Sequence, residues 1–230
     1  MGRMFDFISK TWNPVKGCLH NCYAGRCWAR LMSRRLQGRG YEKYADGFKP
    51  RLWEPHLRNP PKGELVFVVS MGDLWGSWVP DKWIERVLNV CREWPYVKYW
   101  FFETKNPSRL DDFIDSLPEN SIISTTIETN RPYQLSSAPS IHERFEAFLN
   151  ISWPSPLKHL SLEPMAEFDL EAMIKGVCLL EPCFGVSIGS DNYGGLKRLG
   201  IPEPSLEKME KLAYNLEEIG FRVERKWKER

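Results

Sequence analysis

The runs ELVFVVS (64–70), VKYWFFET (97–104), SIISTTIE (121–128), LKHLSLE (157–163), FGVSIG (184–189) and FRVERK (221–226) are short and rich in β-branched and aromatic residues. Amphipathic stretches separate them at 81–93, 107–117, 142–149, 168–175 and 203–219. Strands joined by such crossovers pair in parallel, and a parallel sheet must be covered by the helices between its strands. A segment around FISKTW supplies a first strand ahead of these six. The class is therefore α/β. A partial (β/α)6-type TIM-like barrel with parallel strands and a doubly wound open sheet share this periodicity. The polar residues favour the barrel, because nearly every strand ends in a charged or small polar group: Ser70 with Asp73, Thr104 with Lys105, Glu128 with Asn130, Glu163, and Asp191. In a barrel the carboxyl ends of all strands meet on one face, where sites are built.

With 230 residues, 42% of them hydrophobic, the chain can bury one substantial core. It shows no internal repeat, low-complexity segment or flexible linker, so a single domain over 1–230 is expected. The Pro-rich stretch 49–62 reads as an ordered crossover or a lid, and NISWPSP (150–156) as a shorter irregular connection. The 32 basic and 30 acidic residues leave a net charge of +2, which argues against binding nucleic acid or an anionic membrane by bulk charge. No apolar run approaches the ~20 residues that span a bilayer, and MGRMFDFISK lacks the apolar core of a signal peptide. A cytoplasmic protein with no membrane partner is expected.

In a reducing compartment cysteines serve metal ligation or thiolate chemistry more often than disulfides. Cys91 falls at helical spacing with Trp83, Ile84, Val87 and Leu88 and reads as core; Cys178 and Cys183 read as structural. Cys18, Cys22 and Cys27 are different. They fall within ten residues, in GCLHNCYAGRCWAR, on a predicted loop at 17–28 that a helix over 27–36 follows. Three thiolates on one loop can hold three irons of a 4Fe-4S cluster and leave the fourth iron open to an outside ligand. The same residues with His20 as a fourth ligand would make a closed zinc site, and a cluster of cysteines that binds no metal is the third reading.

The strings TWNPVKGC, CYA and CWAR, then SMGDLW, TKNPSRL, TTIETNRPY, LSLEPM with FDLE, GVSIGSD and PEPSLEKM occur in this order from Thr11 onward. In this order they resemble a radical S-adenosylmethionine (radical SAM)-like family first named from phage proteins, which is distantly similar to spore photoproduct lyase. The resemblance implies a partial β/α barrel, a 4Fe-4S cluster on Cys18, Cys22 and Cys27, S-adenosylmethionine as a second cofactor, and an electron donor such as ferredoxin or flavodoxin. The implied chemistry is reductive cleavage of S-adenosylmethionine to a 5′-deoxyadenosyl radical that takes hydrogen from a substrate. One departure stands out: radical SAM loops are usually CxxxCxxC, whereas this one is CxxxCxxxxC and must bulge around Tyr23 to Arg26.

By position in such a barrel, Ser70, Gly72 and Asp73 would meet the methionyl amino group, with Gly72 admitting close backbone approach. As alternatives, the segment is an ordinary turn and Asp73 a helix cap. Lys105 suits the methionyl carboxylate or a substrate anion, and Glu128 and Asn130 the ribose hydroxyls or the methionyl group. Glu163, at the end of a buried strand, requires a partner, either Lys105 or substrate. Ile188 and Gly189 would lie near adenine, and Tyr23 beside adenine or over the cluster. Gly194 and Gly195 read as a turn. Trp53, Trp75 and Trp78 are candidates for the barrel mouth. Residues 26–51 carry eight basic and two acidic side chains, with Arg26, Arg30 and Arg34 at spacing four; this is either a solvated helix face or a phosphate-contacting surface for a nucleic-acid substrate. Against the enzyme stands a zinc-binding structural or nucleic-acid-binding module without catalysis.

Overall fold

The computed structural model describes residues 5–180 and 183–227. Seven strands form one sheet: β1 (Lys10–Trp12), β4 (Gly63–Val68), β5 (Val97–Thr104), β6 (Ser121–Thr126), β7 (Lys158–Leu162), β8 (Gly185–Gly189) and β9 (Val223–Lys226). Their spatial order follows their chain order, and every neighbouring pair is parallel. A doubly wound sheet would reverse direction at a switch point, and this one never does. Right-handed crossovers that always advance the same way put their helices on one face. The sheet curls about the other face into a half-barrel, the fold class predicted. A two-stranded antiparallel ribbon, β2 (Val15–Lys16) with β3 (Arg51–Leu52), stands beside it.

The period of two along each strand sorts side chains between two cores. On the helix-covered face, Val66, Val68, Trp100, Phe102, Ile123, Leu160, Leu162, Val186 and Ile188 belong to the main core. Against them pack α4 (Asp81–Glu93) through Ile84, Val87 and Leu88, α6 (Ile141–Asn150) through Phe148, α7 (Leu170–Cys178) through Met173 and Val177, and α9 (Leu206–Ile219) through Leu212 and Leu216. Cys91 lies in this core, as its spacing predicted. On the inner face, Leu65, Phe67, Phe101 and Ile122 form a second cluster with Phe5 and Ile8. Alternation puts Glu103, Thr126, Ser161, Glu163 and Gly189 on that same face nearer the carboxyl ends, where it turns polar.

Local signals set the helix limits. Ser140 and Glu143 form a capping box at the start of α6. In α9 the cap is Ser205, because Pro202 and Pro204 keep the preceding residues extended, and Gly220 ends it in a left-handed conformation. The expected helix 107–117 is shorter: α5 (Pro107–Asp111) followed by a separate 3-10 turn at Ile114–Ser116. Additions to the predicted pattern are α1 (Cys22–Gly25), whose interior is left-handed, α3 (Glu54–Arg58), α8 (Gly195–Leu199) and 3-10 turns at Glu42–Tyr44 and Ser155–Leu157, while α2 (Trp28–Gly38) is the expected post-cysteine helix. The Pro-rich 49–62 stretch contains β3 and α3, and it is pinned to the sheet by Trp53 N–H donating to the Pro14 carbonyl at 2.6 Å and by Trp12 Nε1–H donating to the His56 carbonyl at 2.9 Å.

Candidate cofactor site at the cysteine loop

The cysteine loop leaves β2 and passes directly over the carboxyl end of β4. Gly17 and Gly72 form an isolated parallel bridge, and Gly17 N–H donates to the Met71 carbonyl at 2.9 Å. Both positions require glycine. Gly17 has φ +88°, and a Cβ there would stand 2.3 Å from the Lys49 carbonyl oxygen; one at Gly72 would stand 2.8 Å from the Gly17 carbonyl oxygen. The close approach foreseen at Gly72 is thus to the backbone of the cysteine loop. Asn13 completes the junction: its Oδ1 accepts from Met71 N–H at 2.7 Å and from the Ser70 hydroxyl at 3.3 Å.

Beyond Gly17 the backbone is strained. Asn21, Tyr23 and Ala24 have φ values of 50°, 54° and 50°, and Gly25 follows at 80°. Asparagine and glycine tolerate this conformation, but for Tyr23 and Ala24 it costs roughly 1–2 kcal/mol per residue. This left-handed turn absorbs the two extra residues of the CxxxCxxxxC spacing. Cys22 is buried, and Cys18 and Cys27 are half-buried. Burial pushes the Cys22 thiol up to about 12, with Lys105 and Arg144 pulling it down and Cys27 and Glu128 pushing it up. Burial also raises Cys18 well above the usual thiol range, and Asp73, Cys22 and Cys27 add to the effect. Cys18 and Cys22 therefore sense the charge of their neighbouring cysteines, although among the described residues no group of three or more His, Cys, Asp or Glu is arranged to hold a metal ion.

His20 and Asp73 brace this loop. Asp73 is buried and pairs with His20 Nε2 at 2.9 Å, while its carboxylate accepts from Trp75 N–H at 3.0 Å, the Thr104 hydroxyl at 2.8 Å and Lys105 N–H at 3.0 Å. Burial would raise its pKa, but His20, Lys105 N–H and the Thr104 hydroxyl hold it below the usual range. Asp73 therefore ties the ends of β4 and β5 to the cysteine loop instead of standing free or capping a helix. The same bond occupies the Nε2 of His20 that a zinc ligand would offer first. Trp78 packs edge-on against that imidazole at 4.7 Å, whereas Trp75 is fully buried in the main core.

Next to Cys22, the Tyr23 phenol donates to Glu128 Oε1 at 2.7 Å and accepts from Lys105 Nζ at 3.1 Å. Lys105 also forms an ion pair with Glu128, and Arg144 of α6 binds the other oxygen of that carboxylate at 2.9 Å. Burial opposes the ionised form of Glu128, yet Arg144 and Lys105 hold its pKa at about 2. Lys105 and Glu128 are partners of each other, and Glu163 pairs with Lys226 of β9 rather than with Lys105. Gly189 faces Glu163 so closely that a Cβ would lie 2.8 Å from its carboxyl carbon.

Two expected contacts are not brought to this site. Asn130 is exposed and exchanges hydrogen bonds with the Asp169 backbone at 2.8 and 2.9 Å, and Ile188 belongs to the helix-covered core. Gly195 begins α8, and a Cβ on it would lie 2.4 Å from that of Tyr23, so it admits the Tyr23 ring to the core of the site. Three residues were missed from the sequence. Arg144 sits one helical turn before the buried Phe148, a core-facing position at which arginine is conspicuous. Glu103 shares the face of Phe101, donates nothing and accepts from the Thr126 hydroxyl at 2.9 Å; burial raises its pKa. Lys226 extends over the Phe5 ring at 4.1 Å.

The fold has known counterparts. A spore photoproduct lyase variant superposes with a TM-score of 0.59 at 10% identity, over 98% of this chain and 79% of the other. A second, solved with bound AdoMet and dinucleoside spore photoproduct, gives 0.58 at 10% identity over 94% and 76%. Identity this low establishes the shared fold alone. No curated protein matches the sequence. Among the described residues no helix is long and apolar enough to cross a membrane. The sequence model of the family described as "Protein of unknown function (DUF5131)" matches residues 4–178, and the chain belongs to that family.

Proposed function

We propose that this chain is a radical S-adenosylmethionine enzyme whose cluster is held by Cys18, Cys22 and Cys27. The observation that carries the reading is the position of the cysteine loop, bonded through Gly17 and Gly72 to the carboxyl end of β4 in a half-barrel shared with spore photoproduct lyase. The donor set suits a cubane: three soft thiols on one loop, with Lys105 and Arg144 countering part of the burial that raises Cys22. When bound, the cluster and S-adenosylmethionine supply one-electron cleavage of a carbon–sulfur bond and a 5′-deoxyadenosyl radical that abstracts hydrogen.

The chain's own groups have distinct tasks. Asp73 and His20 hold the loop against the ends of β4 and β5. Lys105, with 13% of its side chain exposed, presents a cation for the methionyl carboxylate, and Glu128 keeps that cation in place when the site is empty. On the inner face, Glu103 and the Glu163–Lys226 pair present polar groups to a substrate, and burial raises the pKa of both carboxyls. The substrate we favour is a nucleic-acid base: one solved counterpart holds a dinucleoside spore photoproduct, and Arg26 and Arg34 are exposed on the adjoining face. An electron donor of the ferredoxin or flavodoxin kind completes the scheme.

Anaerobic reconstitution with iron and sulfide, followed by dithionite and S-adenosylmethionine, tests the reading. It requires 5′-deoxyadenosine from the wild type and none from Cys22→Ser. A reconstituted cluster that yields no 5′-deoxyadenosine contradicts it. Salt-dependent oligonucleotide binding that is lost in the Arg26→Glu/Arg30→Glu/Arg34→Glu variant supports the base substrate, and no binding at low salt removes it.

A further inference from the structure

A cavity of about 720 Å³ lies between α6, α7 and the loop 127–140, outside the half-barrel lumen. Its size is that of a small-molecule site, since such pockets commonly span roughly 300–1,000 Å³. The wall is largely apolar, with Ile127, Leu135, Phe145, Leu160, Met173 and Val177 among its residues. It also contains one buried cation, Arg144, which is 2% exposed.

Arg144 has a donor to spare. Its Nη1 donates to the Thr126 carbonyl at 2.5 Å and its Nη2 to Glu128 at 2.9 Å, but its Nε–H finds no hydrogen-bond partner among the described residues. That nitrogen is itself enclosed, so Arg144 acts on the cavity through its charge; among the described residues the lining adds Arg131 and holds no Asp or Glu. The charge count agrees: Glu128 answers both Lys105 and Arg144, so two formal positive charges share one negative charge.

Gly176 is an independent indication. It lies inside α7, where glycine weakens a helix relative to alanine, and its φ is not left-handed. A Cβ there would meet only the Phe145 ring, at an ordinary 3.7 Å. Neither backbone conformation nor a close approach calls for glycine at this position. What a side chain would remove is the cavity.

We propose that this cavity is a second ligand site, one that takes a small molecule with an apolar body and a single anionic group, the anion being drawn by the positive charge of Arg144 in a lining without Asp or Glu. Because the same guanidinium holds Glu128, which holds Tyr23, occupancy is relayed to the cysteine loop through two hydrogen bonds. The site stands independently of the chemistry at that loop.

Fluorescence titration with anilinonaphthalene sulfonate, an anionic apolar dye, and with its uncharged analogue phenylnaphthylamine tests the proposal on the purified chain. The wild type is expected to bind the sulfonate saturably and about tenfold more tightly than the neutral dye, which is about 1.4 kcal/mol of charge attraction. Gly176→Leu, which strengthens the helix while filling the cavity, is expected to abolish binding of both. Arg144→Met should reduce the preference for the sulfonate to about twofold or less; if that variant does not fold, the two dyes on the wild type decide. Decanoate should displace the sulfonate and inorganic phosphate should not. Equal binding by wild type and Gly176→Leu overturns the site, equal affinity for the two dyes overturns the anionic group, and displacement by phosphate overturns the apolar body.

Discussion

The inner face of the half-barrel has two unlike regions. One is an aromatic layer in which Phe5 and Phe7 from the N-terminal segment pack on Phe67, Phe101 and His159, with centroid separations of 5.1–5.6 Å for most pairs. The other is the cysteine-loop end, where four left-handed non-glycine residues (Asn21, Tyr23, Ala24 and Val69), two obligatory glycines and a buried network of Tyr23, Glu128, Lys105 and Arg144 meet. The first gains stability from area removed from water, with no demand on position beyond good packing. The second gives stability up to hold charges and thiols in one arrangement, which is the pattern of a functional site. Layer and site divide a single sheet face between them.

If that division is right, the largest effect on folding belongs to the aromatic layer. Phe101→Ala should cost about 3–5 kcal/mol and lower the melting temperature by on the order of 10 °C, while the truncated protein that remains folded still takes up iron. Gly17→Ala, by contrast, should cost about 2–3 kcal/mol, because it adds a Cβ at positive φ against the Lys49 carbonyl, and should also sharply reduce iron uptake. Loss of stability without loss of iron binding in Gly17→Ala would erase the distinction between the regions.

Acid separates them too. Burial drives His159 down to about 3, so the unfolded chain binds a proton that the folded chain refuses below the ordinary histidine value. Stability falls as pH drops from about 6.5 toward 3, by about 1.4 kcal/mol per unit at most. Glu128, held at about 2 by Arg144 and Lys105 against the effect of burial, contributes stability above the ordinary carboxylate range and loses it as pH falls toward 2. Chemical denaturation across pH should show the first slope flattened in His159→Gln and the second in Glu128→Gln. The smallest effect is that of Tyr23→Phe, which removes one phenol from the network and should cost about 1 kcal/mol. A cost above about 3 kcal/mol would mean that the phenol carries more than two hydrogen bonds can supply.

The sheet was legible because its strands are short apolar runs with helical crossovers between them, and this signal survives without side-chain detail. α4 and β5 fall on the predicted limits, 81–93 and 97–104. The cysteine loop was legible as a cluster of thiols, and its bulge as a spacing. The partners inside the site were not. Arg144 and Lys226 come from distant elements, and nothing in the residues around Glu128 or Glu163 names which cation will face them. Ile188 shows the same limit in reverse: its segment reaches the site end of the sheet, but strand alternation sends its side chain to the helices. Asn130 is taken up by the Asp169 backbone, a local loop lock that no strand-end pattern reveals.

The central claim is that three thiols hold a cluster with one iron left open. Electron paramagnetic resonance of the anaerobically reconstituted, dithionite-reduced protein, recorded before and after S-adenosylmethionine is added, tests it most directly. The account predicts the signal of a reduced 4Fe-4S cluster in the wild type, none in Cys18→Ser, Cys22→Ser or Cys27→Ser, and a changed wild-type spectrum when S-adenosylmethionine reaches the open iron. A colourless protein carrying one tightly bound zinc, or a cluster signal indifferent to S-adenosylmethionine, would contradict it.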